Sequence, residues 1–400
     1  MVARQLQATM SADAPKATAL SKAEKKQRFE DAFNVIRDDL LEHFSGQGMP
    51  EEGVEWYKRN LEYNVPGGKL NRGLSVVDSL EILQNGEISE EEWFKAAVLG
   101  WCVELLQAYF LVVDDIMDQS HTRRSQPCYF RLPSVGNIAI NDAIMLEGAI
   151  FHLIKKYFRG DPIYVDVLEF FLDTTYQTEM GQMIDLITAP EDHVDLSKFS
   201  LEKHSLIVVY KTAFYSFYLP IALAMLMAGI PPPSEPVAVP NLRNLQSTSN
   251  KMPTEPYEIA MHILVPLGEY FQVQDDYLDA FGTPEQIGKV GTDIVDNKCS
   301  WCICTALALA SPAQRQILEE NYGVRPPAGV DGTGPEGLGE AERKVKEVYR
   351  ELQIAEKYKE YERNYHQRIT TVVDQIDEQK TGLKKEIFTG FLSKIFGRTK

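Results

Sequence analysis

The sequence predicts an all-α fold built as one large domain. Three observations predict it: apolar residues recur at helical spacing along most of the chain, no segment alternates as a half-buried strand would, and helix-start signals precede the patterned stretches. Residues 1–20 are rich in Ala, Thr, Ser and Lys without apolar periodicity, and read as a flexible segment. The ordered part starts at Ser21, which with Glu24 forms a capping box ahead of Phe29, Phe33, Ile36 and Leu40. Ser89 and Glu92 repeat that signal before Leu99, Val103, Leu106, Phe110 and Val113, so a long helix is predicted up to Asp118. Two breaks follow, one near 231–256 dense in Pro, Ser and Asn, and one near 323–339 dense in Gly and Pro. Helical patterns continue beyond both, and long surface insertions cost little folding free energy, so 21–400 is read as a single domain carrying two loop insertions.

Composition narrows the function. At 400 residues and 44% hydrophobic content the chain can bury a sizeable core. A net charge of -17 argues against nucleic acid or an anionic membrane surface as partner, since both require clustered Lys and Arg. An acidic protein acting on anionic substrates needs cations or a local basic pocket to hold them. The five cysteines are an odd number and read as reduced thiols of a cytoplasmic protein. The most apolar stretch, Phe214 to Ile230, is short for a bilayer span and reads as a buried core helix, so no membrane span is expected.

One acidic motif occurs twice, as Asp114-Asp115-Ile116-Met117-Asp118 and as Asp275-Asp276-Tyr277-Leu278-Asp279. On a helix the first and last Asp of each lie on one face about 6 Å apart, where like charges repel unless a cation intervenes. Each motif also ends an apolar helix, at the negative end of its dipole, which disfavours carboxylates. One such motif could be a solvated acidic helix end; two make that reading weak. All-oxygen ligands without His or Cys select Mg²⁺, with Mn²⁺ an alternative, and Mg²⁺ commonly bridges carboxylates to phosphate oxygens. A diphosphate is therefore the implied ligand. Basic residues fit this: Lys69 and Arg72 follow the Gly67-Gly68 pair, and Arg123 and Arg124 follow the first acidic motif. Taken alone, the Gly67 to Arg72 stretch also suits a solvated basic turn.

Together these stretches carry a resemblance. Gly67 to Arg72, Gln107 to Pro127, Gly181-Gln182-Met183-Ile184-Asp185, Tyr210-Lys211-Thr212, Phe271 to Asp279 and Gly288 to Lys298 resemble the farnesyl diphosphate synthase family of trans-isoprenyl diphosphate synthases, most of all its fungal members. The resemblance implies a helical bundle of the isoprenoid synthase type, its helices antiparallel around a central active-site cavity. It implies an enzyme with dimethylallyltranstransferase and geranyltranstransferase activities, which feeds sterol and terpenoid biosynthesis. Dimethylallyl and geranyl diphosphate would be condensed with isopentenyl diphosphate, with three Mg²⁺ per site, in a homodimer.

Residue roles follow from the same resemblance. Asp114, Asp118 and Asp275 would hold the metal ions, with Asp115, Asp276 and Asp279 in or near the shell. Arg123, Lys211 and Lys289 would contact the allylic diphosphate, supported by Gln182, Asp185 and Lys298. Isopentenyl diphosphate would lie on Lys69, Arg72, Gln107 and Arg124. The Lys211 carbonyl, Thr212 and Gln272 would turn oxygen dipoles towards the carbocation. A tail residue, Arg398 or Lys400, would close over the second substrate.

Product length has a geometric reading as well. Phe110 lies four residues before Asp114, one turn behind it on nearly the same face, so its ring can floor the channel that receives the growing tail. Tyr109 is its neighbour, and in the family two aromatics at these positions fit a C15 product. Ordinary core packing explains both equally well. A geranyl or geranylgeranyl diphosphate synthase is the nearest rival. A terpene cyclase would not need the Lys69 and Arg72 site, and a non-catalytic partner subunit should have lost an acidic motif. Ser125 and Tyr129 depart from the Gly and Trp usual in the family, and the 231–256 loop is longer than usual.

Overall fold

In the computed structural model the residues described are 20–190, 193–234, 237, 253–283, 291–325 and 339–396. Lys289, Arg398, Lys400, residues 1–19 and most of the two expected loop insertions lie outside them. The described chain forms α1 (Lys22–Gly46), α2 (Glu51–Asn64), α3 (Asn71–Leu83), α4 (Glu90–Met117), α5 (Ile138–Phe158), α6 (Tyr164–Thr188), α7 (Leu201–Val208), α8 (Leu219–Met227) and α9 (Pro256–Phe281). It closes with α10 (Trp301–Leu309), α11 (Pro312–Asn321), α12 (Glu340–Glu351), α13 (Ile354–Asp374), α14 (Glu378–Thr381) and α15 (Lys385–Ile395).

Both expected capping boxes form. The Ser21 and Ser89 hydroxyls accept from the amides of Glu24 and Glu92, whose carboxylates accept in return from the two serine amides at 2.8 Å. α4 runs to Met117 with Asp118 as its C-cap, as its periodicity predicts. Its middle is buried all round, from Ala96 to Leu106, because α3 and α5 flank it and α1 covers it. The Trp101 ring stacks on Phe29 at 4.6 Å and its indole N–H donates to the Phe29 carbonyl at 2.8 Å, locking α1 onto α4. Gly73 and Gly100 let α3 and α4 approach closely, since a Cβ on Gly100 would stand 2.5 Å from the Gly73 carbonyl oxygen.

Two features depart from the sequence reading. One is a short antiparallel hairpin, β1 (Thr122–Arg123) and β2 (Gln126–Pro127), where no strand is expected. Its two-residue turn holds Arg124 at φ 52° and Ser125 at φ 62°, both left-handed, which explains why glycine suits the position of Ser125. The other is a π-helical segment, Val209–Tyr218, joining α7 to α8. Two helical stretches, Glu90–Met117 and the continuous Leu201–Met227, are long and apolar enough to cross a bilayer, so the shortness of Phe214 to Ile230 is not what distinguishes it. In both, 78% of the most apolar window is buried inside the protein, which supports the core-helix reading.

The π-helical segment lies at the centre, packed between α6 and α9. A Cβ on Gly181 of α6 would stand 2.2 Å from the Lys211 amide nitrogen, and one on Gly268 of α9 would stand 2.4 Å from the Ala213 Cβ. Both glycines therefore admit a backbone where a side chain could not fit.

Candidate active site

α4 and α6 bring the first acidic motif against the π-helical segment. Lys211, in that segment, donates to Asp114 at 2.9 Å and to Asp185 of α6 at 2.7 Å. Gln182, one turn before Asp185, donates to the same Asp114 oxygen at 3.0 Å. Lys298 reaches Asp118 at 2.6 Å from the irregular segment before α10. Arg123, on the hairpin, forks onto Asp115 at 2.6 and 3.1 Å and stands 3.6 Å from Asp114. Ammonium and guanidinium groups thus stand among the carboxylates.

The electrostatics follow from that packing. Burial raises the Asp114 carboxyl, but Lys211, Lys298 and Arg123 outweigh it and hold it below the usual carboxylate range. Asp118 goes the other way, pushed up by burial and by the charge of Asp114 despite Lys298. Burial disfavours the charged forms of Lys211 and Lys298, yet Asp185 with Asp114 or Asp118 raises both well into the cationic state. Among the described residues no three His, Cys, Asp or Glu side chains are gathered in a metal-binding group. The chemistry of the donors does suit a hard cation: Asp114 and Asp118 are oxygen donors close enough to repel, and that repulsion is what a divalent ion would relieve.

The second motif, on α9, is arranged differently. Asp276 is buried; it pairs with His204 of α7 at 2.7 Å, accepts from the Trp301 amide at 2.7 Å, and accepts from Gln272 at 3.1 Å. Burial opposes a charged His204, but the Asp276 carboxylate overrides it and raises the imidazole above its ordinary value. Asp279 is buried and accepts from the Asp293 amide at 3.0 Å, while Asp275 is half-buried. Trp301 lies three residues beyond Lys298, so residues 298–301 tie Asp118 of the first motif to Asp276 of the second.

Of the basic group predicted for a second diphosphate, Arg72, Gln107 and Arg124 gather around Glu104, and Lys69 is exposed. Arg72 donates to Ser216 at 2.8 Å and lies 5.2 Å from the Tyr215 ring centre. The Gln107 amide, oriented to satisfy both neighbours, accepts from Arg72 at 2.8 Å and donates to Glu104 at 3.1 Å. Glu104 is buried and also accepts from the Gly73 amide at 2.8 Å; burial raises its carboxyl against the pull of that amide, Arg72 and Arg124. Arg124 donates to the carbonyls of Asn64, Val65 and Pro66, and Gly68 lies beside its guanidinium. A small cavity lined by Tyr63, Pro66, Gly67, Asp115, Arg123, Arg124 and Tyr129 opens next to it.

Phe110 is buried, with its ring 4.7 Å from Tyr109 and 6.3 Å from Tyr215. Burial, with Glu147 and Glu179 nearby, pushes the half-buried Tyr109 hydroxyl up to about 12. Thr212 and Gln272 are half-buried on the π-helical segment and α9. Sequence reasoning missed Glu104, His204, Tyr215 and Ser216. Glu104 had a signal, being the one acid inside an apolar run from Ala96 to Leu106; the others had none. The departure at Tyr129 is accommodated, since its hydroxyl donates to Asp142 at 2.9 Å, which also accepts from the Trp56 indole at 3.0 Å.

Comparison with known proteins agrees with this geometry. Residues 54–331 match the polyprenyl synthetase family. The chain is 54% identical over 387 residues to the farnesyl pyrophosphate synthase of Ganoderma lucidum, covering 95% of this chain and 99% of that one. It is 50% identical over 385 residues to the farnesyl pyrophosphate synthase of Saccharomyces cerevisiae, covering 96% and 100%. A solved T. brucei farnesyl diphosphate synthase complexed with risedronate superimposes with a TM-score of 0.78 at 30% identity, over 94% of this chain and 100% of that one. With one aspartate-rich helix end set among half-buried cations, a second tied to it through residues 298–301, and relatives that match over nearly their full length, the chain belongs to the polyprenyl synthetase family.

Proposed function

We propose that the chain is a farnesyl diphosphate synthase that condenses dimethylallyl diphosphate, and then geranyl diphosphate, with isopentenyl diphosphate. The observation that carries this reading is the convergence of Asp114, Asp118 and Asp185 with Lys211, Lys298 and Arg123, beside a separate basic group at Arg72, Gln107 and Arg124. Two anion sites suit a reaction with two diphosphate substrates, and the full-length relatives carry that activity in their names.

Asp114 and Asp118, with Asp275 of the facing motif, are the residues that would hold Mg²⁺. Bound there, Mg²⁺ supplies Lewis-acid stabilisation of the departing diphosphate. The chain's own groups do the rest. Lys211, Lys298 and Arg123 are within reach of the same carboxylates and pair with diphosphate oxygens as they develop charge, while Gln182 and Asp185 hold Lys211 and Asp114 in place. Gln272 gives its amide N–H to Asp276, which leaves its carbonyl oxygen to face the allylic cation. Arg72, Gln107 and Arg124 hold the isopentenyl chain so that its double bond attacks the allylic cation, and the condensed tertiary cation that results loses a proton to the released diphosphate.

The enzyme works as a homodimer through α5 and α6. On α6, Val165, Leu172, Tyr176, Met183 and Ile187 are each more than half exposed and fall along one side; Ile140 and Ile144 add to them from α5. A chain of net charge -17 that leaves such a row uncovered has a partner for it, and a self-complementary face is satisfied by a second copy.

The deciding experiment incubates the protein with dimethylallyl and isopentenyl diphosphates and Mg²⁺ and sizes the products. A C15 product that vanishes with chelator is expected. A C10 or C20 end product would replace the length assignment, and no condensation at all would overturn the reading.

A further inference from the structure

The approach to α10 carries three cysteines within six residues, Cys299, Cys302 and Cys304, the first two at Cys-x-x-Cys spacing. Ser300 is the N-cap, so Cys299 stands just before the helix and Cys304 is its fourth residue. Those are the two positions whose apolar side chains ordinarily staple a helix entrance. Here the staple consists of two thiols, with Sγ atoms 3.7 Å apart and both residues buried. Cys302 points elsewhere, its Sγ donating to the Asp276 carbonyl at 3.7 Å. A disulfide needs its sulfurs ~2.05 Å apart, so the pair has less than ~2 Å to close.

That movement would not stay local. Lys298, directly before Cys299, holds Asp118 at 2.6 Å, and its carbonyl accepts from Tyr322 at 2.6 Å. Trp301, two residues after Cys299, gives its amide to Asp276 at 2.7 Å. Drawing Cys299 towards Cys304 therefore pulls on the short segment that holds both acidic motifs.

We propose that Cys299 and Cys304 form an oxidisable pair, closed by peroxide into a reversible disulfide that displaces Lys298 and the Trp301 amide and so slows prenyl transfer. The Cys299 thiolate attacks the peroxide O–O bond, which breaks to give a sulfenic acid and water. The Cys304 sulfur then attacks the sulfenic sulfur, the S–S bond forms and a second water leaves, so two thiols are oxidised and one peroxide is reduced. The surroundings favour this order. The hydrogen bond from Cys304, with His204 nearby, holds the Cys299 thiol below its usual range. Burial instead pushes Cys102 up strongly and Cys128 up to about 12. The loss of activity rests on the proposed prenyl transfer; the disulfide does not.

The test treats the full-length protein with hydrogen peroxide, alkylates it under denaturing conditions and maps the tryptic peptide that starts at Cys299. The expected peptide has lost two hydrogens, carries alkyl label on Cys302 alone, and regains two thiols with dithiothreitol. Prenyl transfer falls at least about tenfold in parallel and recovers on reduction, as expected when a charge-stabilising side chain is displaced. Cys304→Ala, or Cys304→Ser if alanine impairs folding, keeps its activity under peroxide, whereas Cys302→Ala responds like the wild type. Full labelling of all three cysteines after peroxide, or a bond made by Cys302, would overturn the pair. An equal loss of activity in the Cys304 variants would overturn its link to the acidic motifs.

Discussion

Lys211 is held by two carboxylates at once, and that sets what single substitutions near it do. Asp114→Ala removes a charge that repels Asp118 while leaving Lys211 paired with Asp185, so the fold should tolerate it. Turnover should fall by about two orders of magnitude or more, since charge stabilisation at the leaving group is lost. Product assay and thermal melting on one preparation check both halves. Phe110 separates channel from core: Phe110→Ala should lengthen the product to C20 or beyond. If the ring is merely core, the cavity costs about 3–5 kcal/mol and a C15 product persists. His204 gives a pH dependence whose sign is determined by its raised value in the fold. Its ion pair with Asp276 contributes fully below the ordinary value of 6.5 and is lost as pH climbs through the higher folded value. The melting temperature of wild type relative to His204→Gln should therefore be most favourable below pH 6.5 and converge above the folded value.

At the scale of elements, the π-helical segment is where a local sequence reading fails. Val209 to Tyr218 holds five aromatic and two β-branched residues, weak helix formers, yet nothing in that composition demands the wider turn. The clamp of Gly181 and Gly268 on either side shows that neighbouring backbones decide it, and such π turns recur at functional sites. Gly181→Ala should cost about 1–3 kcal/mol by overpacking against the Lys211 amide, and should lower turnover because Lys211 moves with the backbone. Gly390→Ala on α15, where a Cβ meets nothing within 4 Å, should instead gain up to about 1 kcal/mol from helix propensity. Melting curves of the two variants, with turnover for the first, test the contrast. The capping boxes of α1 and α4 were legible because both partners lie within four residues of each other. The hairpin at 122–127 was not, since two residues per strand carry no periodicity.

For the whole molecule, the exposed apolar row along α6 is what calls for a second copy. Sedimentation at micromolar concentration should show a dimer, and Tyr176→Glu combined with Ile187→Glu should shift it to monomer. A wild-type monomer would remove the homodimer from the reading. The same scale explains how a protein of net charge -17 can handle diphosphates: three of its cations, Lys211, Lys298 and Arg123, stand among the carboxylates of the first acidic motif.

What the sequence by itself determined is whatever rests on short-range spacing: the all-helical class, the capped starts of α1 and α4, the two aspartate-rich helix ends and the basic residues beside the first of them. Four-residue spacing puts two carboxylates on one helix face whatever else the chain does. Partnership across the fold was decided by tertiary structure alone. Asp276 faces His204 across 72 positions, Arg72 faces Ser216 across 144 and Lys298 faces Asp118 across 180. No local pattern encodes such pairs, because each depends on how buried helices pack, and that packing also raises the Asp118 carboxyl through burial and the His204 imidazole, against burial, through Asp276.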